Sequence, residues 1–161
     1  MASEQQYKVF RSLYDEELER YTALESRAKL YLTIITFYLG ALVFKMEDMV
    51  KFVTVFHVPL GLYLVFSIVL LLALLLTVLA TRIRTYEGIC DPEEVIRSFG
   101  KTKPTDDDFL DQRVVDLACA TNRNVAENNK VAGILQIASY LLFVAVFFQL
   151  VIFGLAIFKA R

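Results

Sequence analysis

Residues 131–158 read VAGILQIASYLLFVAVFFQLVIFGLAIF, 28 consecutive positions without a charged side chain. A helix rises about 1.5 Å per residue, so this stretch exceeds the roughly 20 residues needed to cross about 30 Å of hydrocarbon. A soluble domain of similar apolar content would spread those residues along amphipathic elements instead. The segment reads as a transmembrane helix, and it makes the chain an integral membrane protein.

Working outward, Val58 through Ala80 is a second run of sufficient length, which places a span at 58–81. The first run, Leu30 through Phe44, has only 15 residues between Lys29 and Lys45. It crosses at 29–46 if those lysines lay their stems in the hydrocarbon and extend their ammonium groups to the interface. A re-entrant or interfacial helix is the alternative reading of this run. Lys and Arg number 5 before the first run, 2 between the first and second, 8 between the second and third, and 2 after the third. With three crossings, one side carries 13 of these charges and the other 4. The positive-inside rule then expects a cytoplasmic N-terminus and an external C-terminus. No cleavable signal peptide is expected, because the first apolar run begins only at residue 30.

The remaining composition narrows the function classes. Of 161 residues, 57% are apolar, and 17 Lys and Arg stand against 18 Asp and Glu, a net charge of −1. That balance argues against direct nucleic-acid binding through broad electrostatic attraction. Cys90 and Cys119 are the only cysteines, too few for a disulfide scaffold or a thiolate metal site. The single His57, beside Pro59, reads as an interfacial residue rather than a metal ligand. No phosphate loop or nucleophile elbow is present, so neither an enzyme nor a cofactor is expected. No span has an ionisable group in its central part, which disfavours a proton-coupled pump or a voltage sensor.

Outside the membrane the expected structure is helical. Tyr7, Phe10, Tyr14, Tyr21 and Leu24 form a heptad-like stripe, and no Pro or Gly interrupts residues 2–39. A cytoplasmic amphipathic helix over 1–28 should therefore run straight into the first span. In the cytoplasmic region 82–130, Asp91-Pro92-Glu93-Glu94 starts a short helix that Gly100 stops, and Lys101 through Pro104 make a turn. Thr105 with Asp108 is a capping-box-like start for a helix of about 53 residues. Leu110, Val114, Leu117, Val125 and Ala132 mark its packing stripe. The fold class is an all-α membrane protein of three transmembrane helices, the first and third extended into a cytoplasmic helical stalk.

Polar residues in costly places are the functional candidates. Asn122, Asn124, Asn128 and Asn129 crowd a helical stretch that propensity disfavours. Asn124, Glu127, Asn128 and Lys130 are gating or interhelical candidates, with a solvated face as the bland reading. In the last span Gln136, Ser139 and Tyr140 lie within about one turn, and polar groups at that depth face other helices or water. They are pore-lining candidates; the alternative is that they only hold helices together. Gln149 lies roughly 140° around the helix from Gln136. Thr33, Thr36 and Gly40 make a small-residue face suited to close packing. The Leu- and Val-rich second span is the expected lipid-facing helix.

The stretch Glu19-Arg20-Tyr21 through Ala28-Lys29, continuing into Leu32-Thr33-Ile34, resembles the helix entering the first span in small bacterial antiphage-defence membrane proteins. Asn124, Asn128, Lys130 and Ala132 resemble the approach to their last span. The nearer resemblance is to Pycsar-type transmembrane effectors and the more distant one to SLATT-type effectors, whose usual two spans the third span here exceeds. The resemblance implies a bacterial inner-membrane effector, held inactive until infection, that oligomerises or opens and permeabilises the membrane. No nucleotide-sensing domain is evident, so the trigger would come through a cytoplasmic sensor or regulator protein. Two readings follow. One is a homo-oligomeric pore or channel-like effector contacting membrane lipid; the other is a non-conducting scaffold whose docking face is Tyr7, Phe10 and Tyr14.

Overall fold

The computed structural model describes residues 3–44, 47, 51, 54, 55, 60–82, 86, 88, 89, 93, 94, 97, 99 and 105–159. Three long helices carry the architecture: α1 (Glu4–Phe44, 41 residues), α2 (Leu60–Arg82, 23 residues) and α3 (Asp106–Lys159, 54 residues). Each is long and apolar enough to cross a bilayer, and no strand occurs among the described residues. The chain is an all-helical, multi-pass membrane protein.

Local sequence explains where the helices begin. The Ser3 hydroxyl accepts a hydrogen bond from the Gln6 amide at 3.2 Å, and Gln6 Oε1 accepts one from the Ser3 amide at 2.8 Å. That reciprocal pair is a capping box, a signal present in Ser3-Glu4-Gln5-Gln6 that the sequence reading above did not use. At α3 the Thr105 and Asp108 pairing forms as its spacing predicts. Asp108 N–H donates to Thr105 Oγ1 at 3.3 Å, and Thr105 N–H donates to Asp108 Oδ2 at 3.1 Å. These bonds from Thr105 hold the Asp108 carboxyl below its usual range. Along α1, the pairs Glu4–Lys8, Arg11–Asp15 and Glu25–Lys29 bridge successive turns at 2.6–3.1 Å. The helix therefore runs unbroken into its apolar half, so the short first run is completed by a helix that is already formed. Lys45, the lysine expected to flank that run, lies outside the described residues.

The contacts divide into two units. The first comprises Met1–Leu24 and Arg84–Lys130 and the second Glu25–Ile83 and Val131–Arg161. In the second, the membrane unit, Ile35 of α1, Phe66, Leu70 and Ala73 of α2, and Ala145 and Ile152 of α3 form the core. Alanines at the contacts let helix backbones approach closely, which matters where lipid leaves no hydrophobic drive for association. Thr77 is fully buried and satisfied by donating to the Ala73 carbonyl at 2.8 Å. The outer face of α2 is Leu64, Val65, Ile68, Leu71, Leu72, Leu75, Val78 and Leu79, all aliphatic. Thr33, Thr36 and Gly40 are exposed, and a Cβ at Gly40 would meet no atom within 4 Å. The close packing expected of that face is therefore not used within one chain.

In the first unit, Tyr14, Leu117 and Ala120 are buried, with Tyr7, Phe10, Tyr86 and Ile89 packed around them. Of the expected inward stripe of α3, Leu117 is buried, but Val125 is only half-buried, and Asn124 and Asn128 take the buried positions beside it. Of the expected short helix, Glu93, Glu94 and Arg97 are helical and Phe99 lies in a turn. Asp91, Pro92, Gly100 and residues 101–104 lie outside the described residues, as do His57 and Cys90.

Candidate functional site

Two polar constellations stand out, one in each unit. In the first unit, α1 and α3 are joined by the asparagine run. Asn128 Nδ2 donates to the Glu17 main-chain carbonyl at 3.1 Å and to Glu17 Oε2 at 2.8 Å. One turn along α1, Arg20 donates to Asn129 Oδ1 at 2.7 Å and pairs with Glu17 Oε1 at 3.4 Å. The amide supplies what a half-buried carboxylate and a helix carbonyl both lack, an N–H donor, so the cost of asparagine in a helix is offset by fixing two helices in register.

Asn124 points to a second contact. Its amide hydrogen-bonds the Tyr86 hydroxyl, which also donates to the Tyr14 carbonyl at 3.3 Å. The Tyr86 ring packs edge-on against Tyr14 at 5.7 Å and lies 5.0 Å from Tyr21. Burial, and after it the neighbouring Tyr14, pushes the Tyr86 phenol up to about 12 from its ordinary 10.0. A raised pKa favours the neutral form, so the stability it contributes is fully present below pH 10 and is lost as pH rises through about 12. An ultraviolet titration should accordingly show a tyrosine that ionises only near pH 12, and Tyr86→Phe should remove that component.

Glu127 is half-buried and pairs with Lys130, three residues on, at 2.6 Å. The gating candidates thus divide: Asn124 and Asn128 face inward and join elements, whereas Glu127 and Lys130 form a local pair nearer the surface. The docking candidates divide as well. Tyr7 and Phe10 are half-buried, but Tyr14 is buried within the chain, so it is a core residue and offers no surface to an outside protein.

In the membrane unit the three pore-lining candidates separate. Gln136 and Tyr140 are exposed on the outer face of α3, where Gln136 Nε2 donates to the Tyr140 hydroxyl at 3.3 Å. Ser139 instead lines an apolar groove of about 260 Å³ with Tyr31, Ile34, Tyr38, Leu70 and Phe143. Gln149 lies on neither surface in the same way, because its Oε1 is enclosed within the unit without a partner. The Gln136–Tyr140 pair uses one of the amide's two N–H groups, which leaves the second N–H, the carbonyl oxygen and the phenolic hydrogen able to bond outside the chain.

Glu17 and Tyr86 are site residues that sequence reasoning did not single out, and Arg20 and Asn129 carried no role of their own there. Among the described residues no cluster of three or more His, Cys, Asp or Glu side chains is placed to hold a metal. No protein-family model, curated protein or solved structure matches the chain.

Proposed function

We propose that this chain is the subunit of a homo-oligomeric membrane pore or channel-like effector, one that permeabilises the bacterial inner membrane when triggered in antiphage abortive infection. The observation that carries this reading is the Gln136–Tyr140 pair, exposed on the outside of a membrane-crossing helix with hydrogen-bonding capacity to spare. Lipid cannot satisfy an amide, so a second protein surface or water must lie against that face. The interior of the membrane unit is filled by Ile35, Phe66, Leu70 and Ala73, which are almost completely buried. A path for ions therefore runs between copies rather than through one.

The resemblance to antiphage effectors supplies the setting, and the 13 to 4 division of Lys and Arg supports a cytoplasmic N-terminus with an external C-terminus. In that orientation the first unit faces the cytoplasm, where the Glu17–Asn128 and Tyr86–Asn124 contacts hold α1 and α3 together until a sensor or regulator protein acts. The scaffold alternative has less support, because Tyr14, one of the three residues of its docking face, is buried.

Controlled expression in bacteria tests the proposal. With phage infection supplying the trigger, the full chain should depolarise the membrane, and the double variant Gln136→Leu with Tyr140→Phe should lose most of that leak while reaching the membrane in equal amount. An unchanged leak in the variant would remove both residues from the path, and an intact membrane potential at full expression of the unaltered chain, with its trigger supplied, would remove the pore.

A further inference from the structure

We propose that the open face of α3 in the membrane unit is the seam along which copies of this chain pack together, α3 against α3 and parallel. The inference rests on the oligomeric reading above and specifies its contact. Along that face Gly133, Gln136, Tyr140, Phe143, Phe147, Leu150, Gly154 and Ile157 recur at alternating intervals of three and four, and all eight are exposed. That is the heptad spacing of a left-handed helix pair. The back of any helix offers such positions, so the argument turns on what occupies them.

Three features mark this face, and their combination sets it apart, because Gly40 on α1 and Gly61 on α2 are as open as its own glycines. Cβ atoms at Gly133 and Gly154 would meet nothing within 4 Å, so another backbone can approach closely at both ends of the seam. Between them, the Gln136 amide and Tyr140 hydroxyl keep donors and an acceptor unused. An amide carries both kinds of group, so a symmetry-related copy at the same membrane depth satisfies it. A single polar layer of this sort also fixes register and orientation in an otherwise apolar helix pair. By contrast, Thr33 on α1 donates to the Lys29 carbonyl, and Ser67 and Thr81 on α2 donate to those of Tyr63 and Val78. These hydroxyls have closed on their own helices and ask nothing of a neighbour, and lipid is sufficient cover for the aliphatic face of α2.

The third feature is area. Tyr140, Phe143 and Phe147 are 63%, 74% and 58% exposed, and Leu150 and Ile157 are both 65% exposed. At 150–250 Å² for each aromatic side chain, scaled by those exposures, six such rings from two copies offer roughly 600–1,000 Å². With the aliphatic residues added, the seam passes the approximately 1,000 Å² expected of a specific interface. In a parallel bundle of three or more α3 helices the same positions face the common axis, so the seam and the path coincide.

Cross-linking of the full chain in membranes tests the seam. With Cys90 and Cys119 changed to serine, single cysteines are introduced by Phe147→Cys and Phe143→Cys on the seam and Val144→Cys beside it. Leu72→Cys on α2 and Phe37→Cys on α1 probe the other outer faces. All five replaced side chains are exposed, so each variant should fold. Mild oxidation should convert most of the Phe147→Cys and Phe143→Cys protein to disulfide-linked dimer and leave the other three monomeric. Equal cross-linking at all five positions, or dimers formed only through Phe37→Cys or Leu72→Cys, would overturn the seam. Leak measured on the same membranes separates the two proposals. Leak without seam cross-linking overturns the seam and leaves the pore standing; seam cross-linking in protein that never leaks supports the seam and overturns the pore.

Discussion

Replacing Asn128 by leucine should destabilise the first unit by about 2–3 kcal/mol, the range for losing hydrogen bonds to a charged group and leaving that group unsatisfied. Leucine keeps the branched shape and the number of side-chain heavy atoms of asparagine, so the main loss is of donors. It strips the Glu17 carbonyl of its 3.1 Å contact and Glu17 Oε2 of its 2.8 Å contact. The Glu17 side chain is only 16% exposed, and its ion-pair partner Arg20 is more distant at 3.4 Å. Water cannot fully replace the amide there, and an incompletely paired buried charge is costly. Amide hydrogen exchange along the first half of α1 reads the effect. Faster exchange at Glu17 and its neighbours is expected. The double replacement Glu17→Leu with Asn128→Leu should cost less than the sum of the single changes, because one interaction is being removed twice. Full additivity would mean that the two side chains do not depend on each other.

Phe66→Ala should produce the second large effect, through a different mechanism. In water, truncating a buried phenylalanine loses transfer free energy and also opens a cavity. In a bilayer the transfer contribution nearly vanishes, because the unpacked side chain rests in lipid rather than in water. What remains is the void. A volume on the order of 100 Å³ at about 24 cal/mol per Å³ amounts to about 2.4 kcal/mol. Phe66 is 2% exposed and packs in the cluster with Ile35, Leu70 and Ala145, so little relaxation is available to fill the space. Leu72→Ala on the outer face of the same helix should cost almost nothing. Unfolding in detergent micelles distinguishes the two, and equal midpoints would show that the α2 contacts do not hold the membrane unit together.

How much of this was legible beforehand depended on distance along the chain. The uncharged stretch from Val131 to Phe158 required only length and composition, and the Thr105–Asp108 cap required only spacing, so both could be read directly. The unbroken course of α1 followed from the absence of Pro and Gly before Gly40. The Ser3–Gln6 cap has a sequence signature of the same local kind. The Glu17–Asn128 contact was not, because its partners are 111 residues apart and their register emerges only when two helices pack. The asparagine run announced a cost without naming what offset it. Treating the inner stripe of α3 as apolar then favoured Val125, where the structure buries Asn124 and Asn128. In the last span, proximity within one turn grouped Ser139 with Gln136 and Tyr140. Direction around the helix separates them, since Ser139 lines a groove and the other two face outward.

The most direct measurement of the central claim is electrical: current through a planar bilayer into which the purified full-length chain has been reconstituted, with the mass of the detergent-solubilised assembly determined in parallel. The account predicts discrete conductance steps from a defined oligomer, diminished when Gln136 and Tyr140 are replaced by leucine and phenylalanine. A monomer that leaves the bilayer electrically silent, with and without cytoplasmic extract from infected cells, would contradict it.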